Sequence, residues 1–103
     1  MASPTERSLK KMRDDGYLVA VVERWNPHAR IRQDLFGIID LLGIKDGETL
    51  AVQTTTLSNM KARILKISES EATPIIRLAN WKIEVHGWRK LKSGWECKVE
   101  DLS

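Results

Sequence analysis

The spacing of apolar positions changes several times along the chain, and each change marks an element. Ser3-Pro4-Thr5-Glu6 is a capping box with proline at the first helical position. Leu9 and Met12 then form a short apolar stripe, with Arg7, Lys10, Lys11 and Arg13 facing water and Gly16 as the stop. This predicts a helix over about residues 4 to 15. Tyr17 to Trp25 is an apolar, β-branched run too short for a typical helix, so a strand with both faces largely covered is expected, broken by Asn26-Pro27. After a basic connection, Leu35 to Lys45 reads as a strand, Asp46-Gly47 as a turn and Thr49 to Thr55 as the returning strand. Asp-Gly between two apolar runs is a strong hairpin signal.

In the second half Ser58 is placed to cap a helix in which Met60, Ile64 and Ile67 recur at i, i+4 and i+7. Lys61 and Lys66 lie off that stripe, and the helix ends before Ser70. Thr73-Pro74 predicts a second, short helix through about Ala79. Trp81 to Leu91 alternates, Trp81, Ile83 and Val85 against Lys82, Glu84 and His86. Lys92-Ser93-Gly94 then turns into a last strand, Trp95 to Val99. The order αβββααββ implies an α+β fold with one mixed sheet.

Composition narrows the class. At 103 residues, 42% apolar and 30% charged, the chain fits a single domain over residues 1–103, neither disordered nor membrane-spanning. The start lacks the features of a secretory signal and the lone Cys97 has no internal partner, so a reducing cytoplasm is expected. The net charge of +3 is mild, but its distribution is uneven. Arg24, His28, Arg30 and Arg32 fall in one short stretch with Glu23 at its edge, while Arg89, Lys90 and Lys92 lie near Trp88 and Trp95. Such clusters are either solvated faces or phosphate-facing surfaces.

Chemistry concentrates on the hairpin. An aspartate inside an apolar run is costly if buried unpaired, and Asp40 occupies such a place. On the returning strand Gln53 and Thr55 share a face, across the hairpin from Asp40. A carboxylate and an oxygen-bearing pair converging from neighbouring strands suit one hard divalent cation, the arrangement used for phosphodiester hydrolysis. Structural readings stand beside these: the capping box explains Glu6, and Gln53 and Thr55 also suit the polar end of a strand. Asp34, six residues before Asp40, is of the same strand parity and either adds a ligand or ends the basic loop. Glu23 is expected to form a salt bridge with Arg24 or Arg32. His28 and His86 lack the company of a zinc site, Trp88 and Trp95 read as core or rim partners, and no Ser/His/Asp arrangement is apparent.

The segment from Thr5 to Val21 and the hairpin together resemble the PD-(D/E)xK nuclease superfamily, most closely archaeal Holliday-junction resolvases and virus-type replication-repair nucleases. Ile39-Asp40 stands where the family has Pro-Asp, and Gln53-Thr54-Thr55 where it has Glu-x-Lys. The resemblance implies a restriction-endonuclease-like αβββαβ core with a central mixed sheet, covering the chain through about Lys90, plus an extra C-terminal strand. It implies Mg²⁺ or Mn²⁺ as cofactor, Asp40 as central ligand, Glu6 and Gln53 as further ligands, and Thr55 at the position of the lysine. Lys61 is a stand-in for that cation. Arg30, Arg32, Lys61 and Arg63 would hold the backbone of duplex or branched DNA, and a homodimer is expected. Two other readings are a nuclease-fold module that binds nucleic acid without cutting it and a protein-interaction domain.

Overall fold

The computed structural model describes residues 2–103. Helix α1 (Pro4–Asp14) starts as the capping box requires, Ser3 Oγ accepting the Glu6 N–H at 3.2 Å. Strands β1 (Leu18–Val21), β2 (Arg24–Asn26), β3 (Ile31–Gln33), β4 (Leu41–Lys45) and β5 (Glu48–Thr56) follow, then α2 (Met60–Glu69), α3 (Ala72–Leu78), β6 (Lys82–Leu91) and β7 (Gly94–Asp101). The main sheet runs β1-β4-β5-β6-β7, antiparallel throughout except that β5 and β6 are parallel. The helical connection α2–α3 supplies the crossover a parallel pair needs. β2 and β3 form a separate antiparallel ribbon. Among the described residues the fold is therefore α+β with a mixed five-stranded sheet and three α-helices.

Side-chain alternation on the central strands builds two cores. Leu41, Leu50 and Val52 meet Met12 of α1 on one face. Ala51, Ile83 and Val85 meet Met60, Ile67 and Ile76 of α2 and α3 on the other. Glycine permits the close approach on each side: a Cβ at Gly43 would lie 2.7 Å from Met12 Cε, and one at Gly87 would lie 2.7 Å from Met60 Sδ. At the β4–β5 turn Asp46 and Gly47 both take positive φ, 48° and 77°, as a two-residue turn of matching twist demands. Among the described residues no helix is long and apolar enough to cross a membrane.

Four expectations need correction. The run Tyr17–Trp25 is not one strand. It breaks at Val22-Glu23, just after the Val22 N–H makes a last in-register bond to the Asp40 carbonyl at 2.8 Å, where the chain leaves β4 for the ribbon. β1 is an edge strand whose Leu18 and Val21 are exposed, so its faces are not both covered. The basic connection is the β2–β3 ribbon. Only Leu41–Lys45 of the expected Leu35–Lys45 strand is extended, since Phe36 and Gly37 at φ 55° and 78° fold the chain into a tight loop. Finally, both later helices start differently. Ser58 bonds the Thr56 hydroxyl within the approach to a 3₁₀ turn, and Asn59 precedes α2 without a side-chain cap. Ser70 rather than Thr73 accepts the Ala72 N–H, while Thr73 is buried and donates to the Ile67 carbonyl.

Candidate functional site

Asp40 lies at the entry to β4, and its N–H donates to the Val52 carbonyl at 2.9 Å. Val52 is already the partner of Leu41, so this bond is out of register and marks a bulge at the entry to the β4–β5 ladder, with the Asp40 side chain beside Gln53. Asp40 is 2% exposed and Gln53 3%. Asp40 Oδ2 accepts the Gln53 amide N–H at 2.6 Å and the Thr54 backbone N–H at 2.9 Å. The remaining oxygens, Asp40 Oδ1 and Gln53 Oε1, are buried without any hydrogen-bond partner. Leaving two such acceptors dry is expensive for an ordinary core.

Two more carboxylates converge on the same place. Leu35 and Ile39 exchange backbone hydrogen bonds of 2.9 and 3.0 Å, so the loop between them closes and brings Asp34 opposite Asp40. The Val22–Asp40 bond does the same for Glu23. One oxygen from each of Glu23, Asp34 and Asp40 lies within 4.8 Å of the others. Oxygens on opposite sides of one hard cation stand about 4 to 5 Å apart, so the cluster has the span of a coordination sphere. Carboxylates and an amide oxygen are also the donor chemistry such an ion takes. The residues fit a divalent metal.

Cations enclose the acids. Arg32 Nη1 lies 3.0 Å from Glu23 Oε1, and Lys66 Nζ lies 3.7 Å from Asp34 Oδ2. With Arg63 and Thr5 they line a pocket of about 240 Å³ over Asp40 and Gln53. Burial pushes the Asp40 carboxyl up to about 7. The Thr54 amide opposes that shift, whereas the neighbouring carboxylates of Asp34 and Glu23 add to it.

The expected residues separate accordingly. Asp40 and Gln53 meet as anticipated, and Glu23 makes its salt bridge to Arg32 while joining the acid cluster. Asp34 reaches Asp40 through the loop and not through strand parity. Glu6 is exposed and lies outside the pocket, because α1 turns Thr5 inward instead, its hydroxyl 3.3 Å from Glu23 Oε1. Thr55 is buried beyond Gln53 and does not line the pocket. Lys61 is also elsewhere. A helix advances about 100° per residue, which puts Arg63 and Lys66 on the side toward the acids and turns Lys61 into a cleft with Arg89 and Lys98. Arg30 stands at the end of the β2–β3 ribbon. The three-residue spacing of Arg63 and Lys66 was the signal for a shared face, but nothing local showed that the acids lie under it.

The opposite face of β5 holds an arrangement the sequence conceals. Ser8 Oγ lies 2.9 Å from His86 Nδ1, and His86 Nε2 lies 3.0 Å from Glu84 Oε1. The order resembles a hydrolytic triad. Ser8 and His86 are sealed from solvent at 0% and 1% exposure, however, and serine meets Nδ1 where a catalytic histidine presents Nε2. The row is structural.

No protein-family model, curated protein or solved structure matches the chain.

A substitution separates an ion site from a purely structural cluster. Gln53→Glu adds a second negative ligand beside Asp40 and is expected to raise Mn²⁺ affinity about tenfold, read by calorimetric titration. An unchanged or weaker affinity would remove Gln53 from the ligand set.

Proposed function

We propose that this protein is a divalent-metal-dependent nuclease that hydrolyses phosphodiester bonds in DNA on a restriction-endonuclease-like scaffold. The observation that carries this reading is the pair of unpartnered buried oxygens, Asp40 Oδ1 and Gln53 Oε1, beside the carboxylates of Glu23 and Asp34. The scaffold part draws on element order: α1, the antiparallel set β1-β4-β5, a helical crossover and β6 parallel to β5 follow the αβββαβ order implied by the resemblance. On that reading the β2–β3 ribbon is an insertion and β7 an addition.

Asp40, Gln53, Glu23 and Asp34 would hold Mg²⁺ or Mn²⁺. A bound ion of this kind polarises a phosphoryl oxygen and lowers the pKa of water. The chain's own residues account for the rest. With all three carboxylates ionised, as ion binding requires, they balance the three cations across the pocket. A divalent ion makes the site cationic by two charges, which suits a phosphodiester. Arg32, Arg63 and Lys66 then turn toward phosphate oxygens, guanidinium groups offering paired donors and the ammonium a point charge. Lys66 supplies from α2 the cation that the family carries where this chain has Thr55. Cutting both strands of a duplex needs a second copy of the site, and a symmetric homodimer supplies one.

Purified protein incubated with plasmid and branched DNA in Mg²⁺ or Mn²⁺ is expected to cut both. Asp40→Asn is expected to lower the rate at least about a hundredfold, since it removes the central ligand charge. Salt-sensitive binding without cleavage would replace the nuclease by a silent nucleic-acid module, and neither binding nor cleavage would end both readings.

A further inference from the structure

The β2–β3 ribbon stands apart from the main sheet, and its composition differs from the sheet's. Trp25 and Arg32 are direct partners across it, so they share a face. Side chains two residues along a strand return to the same face. Glu23 and Asp34 therefore occupy that face at the ribbon's root, and the 3.0 Å contact between Arg32 and Glu23 agrees with this placement. Trp25 is 57% exposed and Ile31 51%, large apolar groups left in water on an element with little core of its own. The ribbon's end is braced, since Asn26 Oδ1 accepts the N–H groups of His28 and Ala29 at 3.0 and 3.2 Å. Beyond the two root carboxylates every charged residue of the ribbon is a cation: Arg24, Arg30 and Arg32.

From these observations we propose that the Trp25 face of the ribbon binds an unpaired nucleic-acid strand leading away from the phosphodiester site, Trp25 stacking on a base and Arg30 and Arg32 taking its phosphates. The proposal rests on the nuclease reading of the acid cluster at the ribbon's root. Three physical points select this occupant. An indole beside guanidinium groups is the surface on which exposed bases stack while the backbone is neutralised. A duplex keeps its base faces stacked on each other, so only an unpaired strand has a face for Trp25. A second ribbon from another copy would bring like charges together, which disfavours self-association here. Arg32 keeps most of its five donors after the single contact to Glu23.

The test uses the full chain in EDTA, with a labelled oligothymidylate and a blunt duplex of equal length, followed by fluorescence anisotropy. The single strand is expected to bind more tightly than the duplex. Trp25→Ala is expected to weaken single-strand binding about tenfold and leave duplex binding unchanged, with Trp25→Phe restoring most of the loss. Arg30→Ala should reduce the salt dependence by about one phosphate contact. Since Trp25 is an exposed residue, its replacement leaves both cores intact. Equal binding of the two substrates, or no effect of Trp25→Ala, overturns the proposal. The outcomes separate it from the nuclease reading: metal-dependent cleavage with no Trp25 effect defeats only the ribbon. Trp25-dependent single-strand binding by a protein that never cuts defeats only the nuclease.

Discussion

The metal-free protein is expected to lose about 3 kcal/mol of stability as pH is raised from 5 to 8, and Asp40→Asn is expected to abolish that loss. Asp40 is buried, and burial is the largest cause pushing its carboxyl up to about 7 from the ordinary value of 3.8. Between those two values the unfolded chain gives up the proton while the folded chain keeps it. The native state therefore binds more protons than the unfolded state, and stability falls as pH rises through this window. Each unit of difference is worth about 1.4 kcal/mol, so the full loss approaches about 4 kcal/mol above pH 7. Glu48 and Asp101 have depressed values and act with the opposite sign, but their effect lies at acid pH below this range. In Asp40→Asn the amide oxygen still accepts the Thr54 N–H, and position 40 no longer carries an ionisable group. The variant should therefore be the more stable protein at pH 8, even as it loses metal binding.

Added Mn²⁺ should reverse the trend in the parent chain, because a cation binds the ionised carboxylates and stabilises the state that holds them. Urea unfolding at several pH values, with and without Mn²⁺, measures both effects. A flat profile for the parent chain, or an equal slope in Asp40→Asn, would show that Asp40 is not the group whose proton the fold retains.

This carboxylate was visible in the sequence because its conflict is local: an acid within an apolar run must find a partner or a use. The β4–β5 hairpin was visible for the same reason, since Asp46-Gly47 fixes the turn and the turn fixes which residues oppose one another. The start of α1 was also legible, its proline and cap being adjacent in the chain. Asp34 and Glu23 were harder. Their convergence depends on Phe36 adopting positive φ and on the chain turning away from β4 just after the Val22–Asp40 bond, and neither residue type announces such a choice. Strand parity suggested Asp34 through geometry that does not exist, because residues 35–39 are a loop. Lys66 was missed because a helix pattern shows which residues share a face but not what that face meets. The Ser8 and His86 pairing lay still further out of reach, since 78 residues separate the two side chains.

That pairing yields the second large effect: Ser8→Ala is expected to cost about 3 kcal/mol, several times what a serine-to-alanine change costs at a surface. Ser8 Oγ is bonded at once to Thr54 Oγ1 at 3.0 Å, His86 Nδ1 at 2.9 Å and Trp88 Nε1 at 2.8 Å. One assignment of protons satisfies all of them. The indole N–H and the Thr54 hydroxyl donate to Ser8, the Ser8 hydroxyl donates to His86 Nδ1, and Nε2–H donates to Glu84. Alanine deprives three groups of a partner in one step, and solvent has no access at a position of 0% exposure. Thr54→Val provides the contrast, for it removes one donor and keeps the contacts of Ser8 with His86 and Trp88, so about 1 kcal/mol is expected. The network also bears on the metal site, because the Thr54 N–H holds Asp40 Oδ2 from the other side of the same strand. Ser8→Ala should therefore weaken Mn²⁺ binding as well as stability, although Ser8 touches none of the acids. Urea unfolding and calorimetric Mn²⁺ titration of the two variants decide the matter. A cost for Ser8→Ala no greater than that for Thr54→Val would mean that His86 and Trp88 find other partners and that the network is not cooperative.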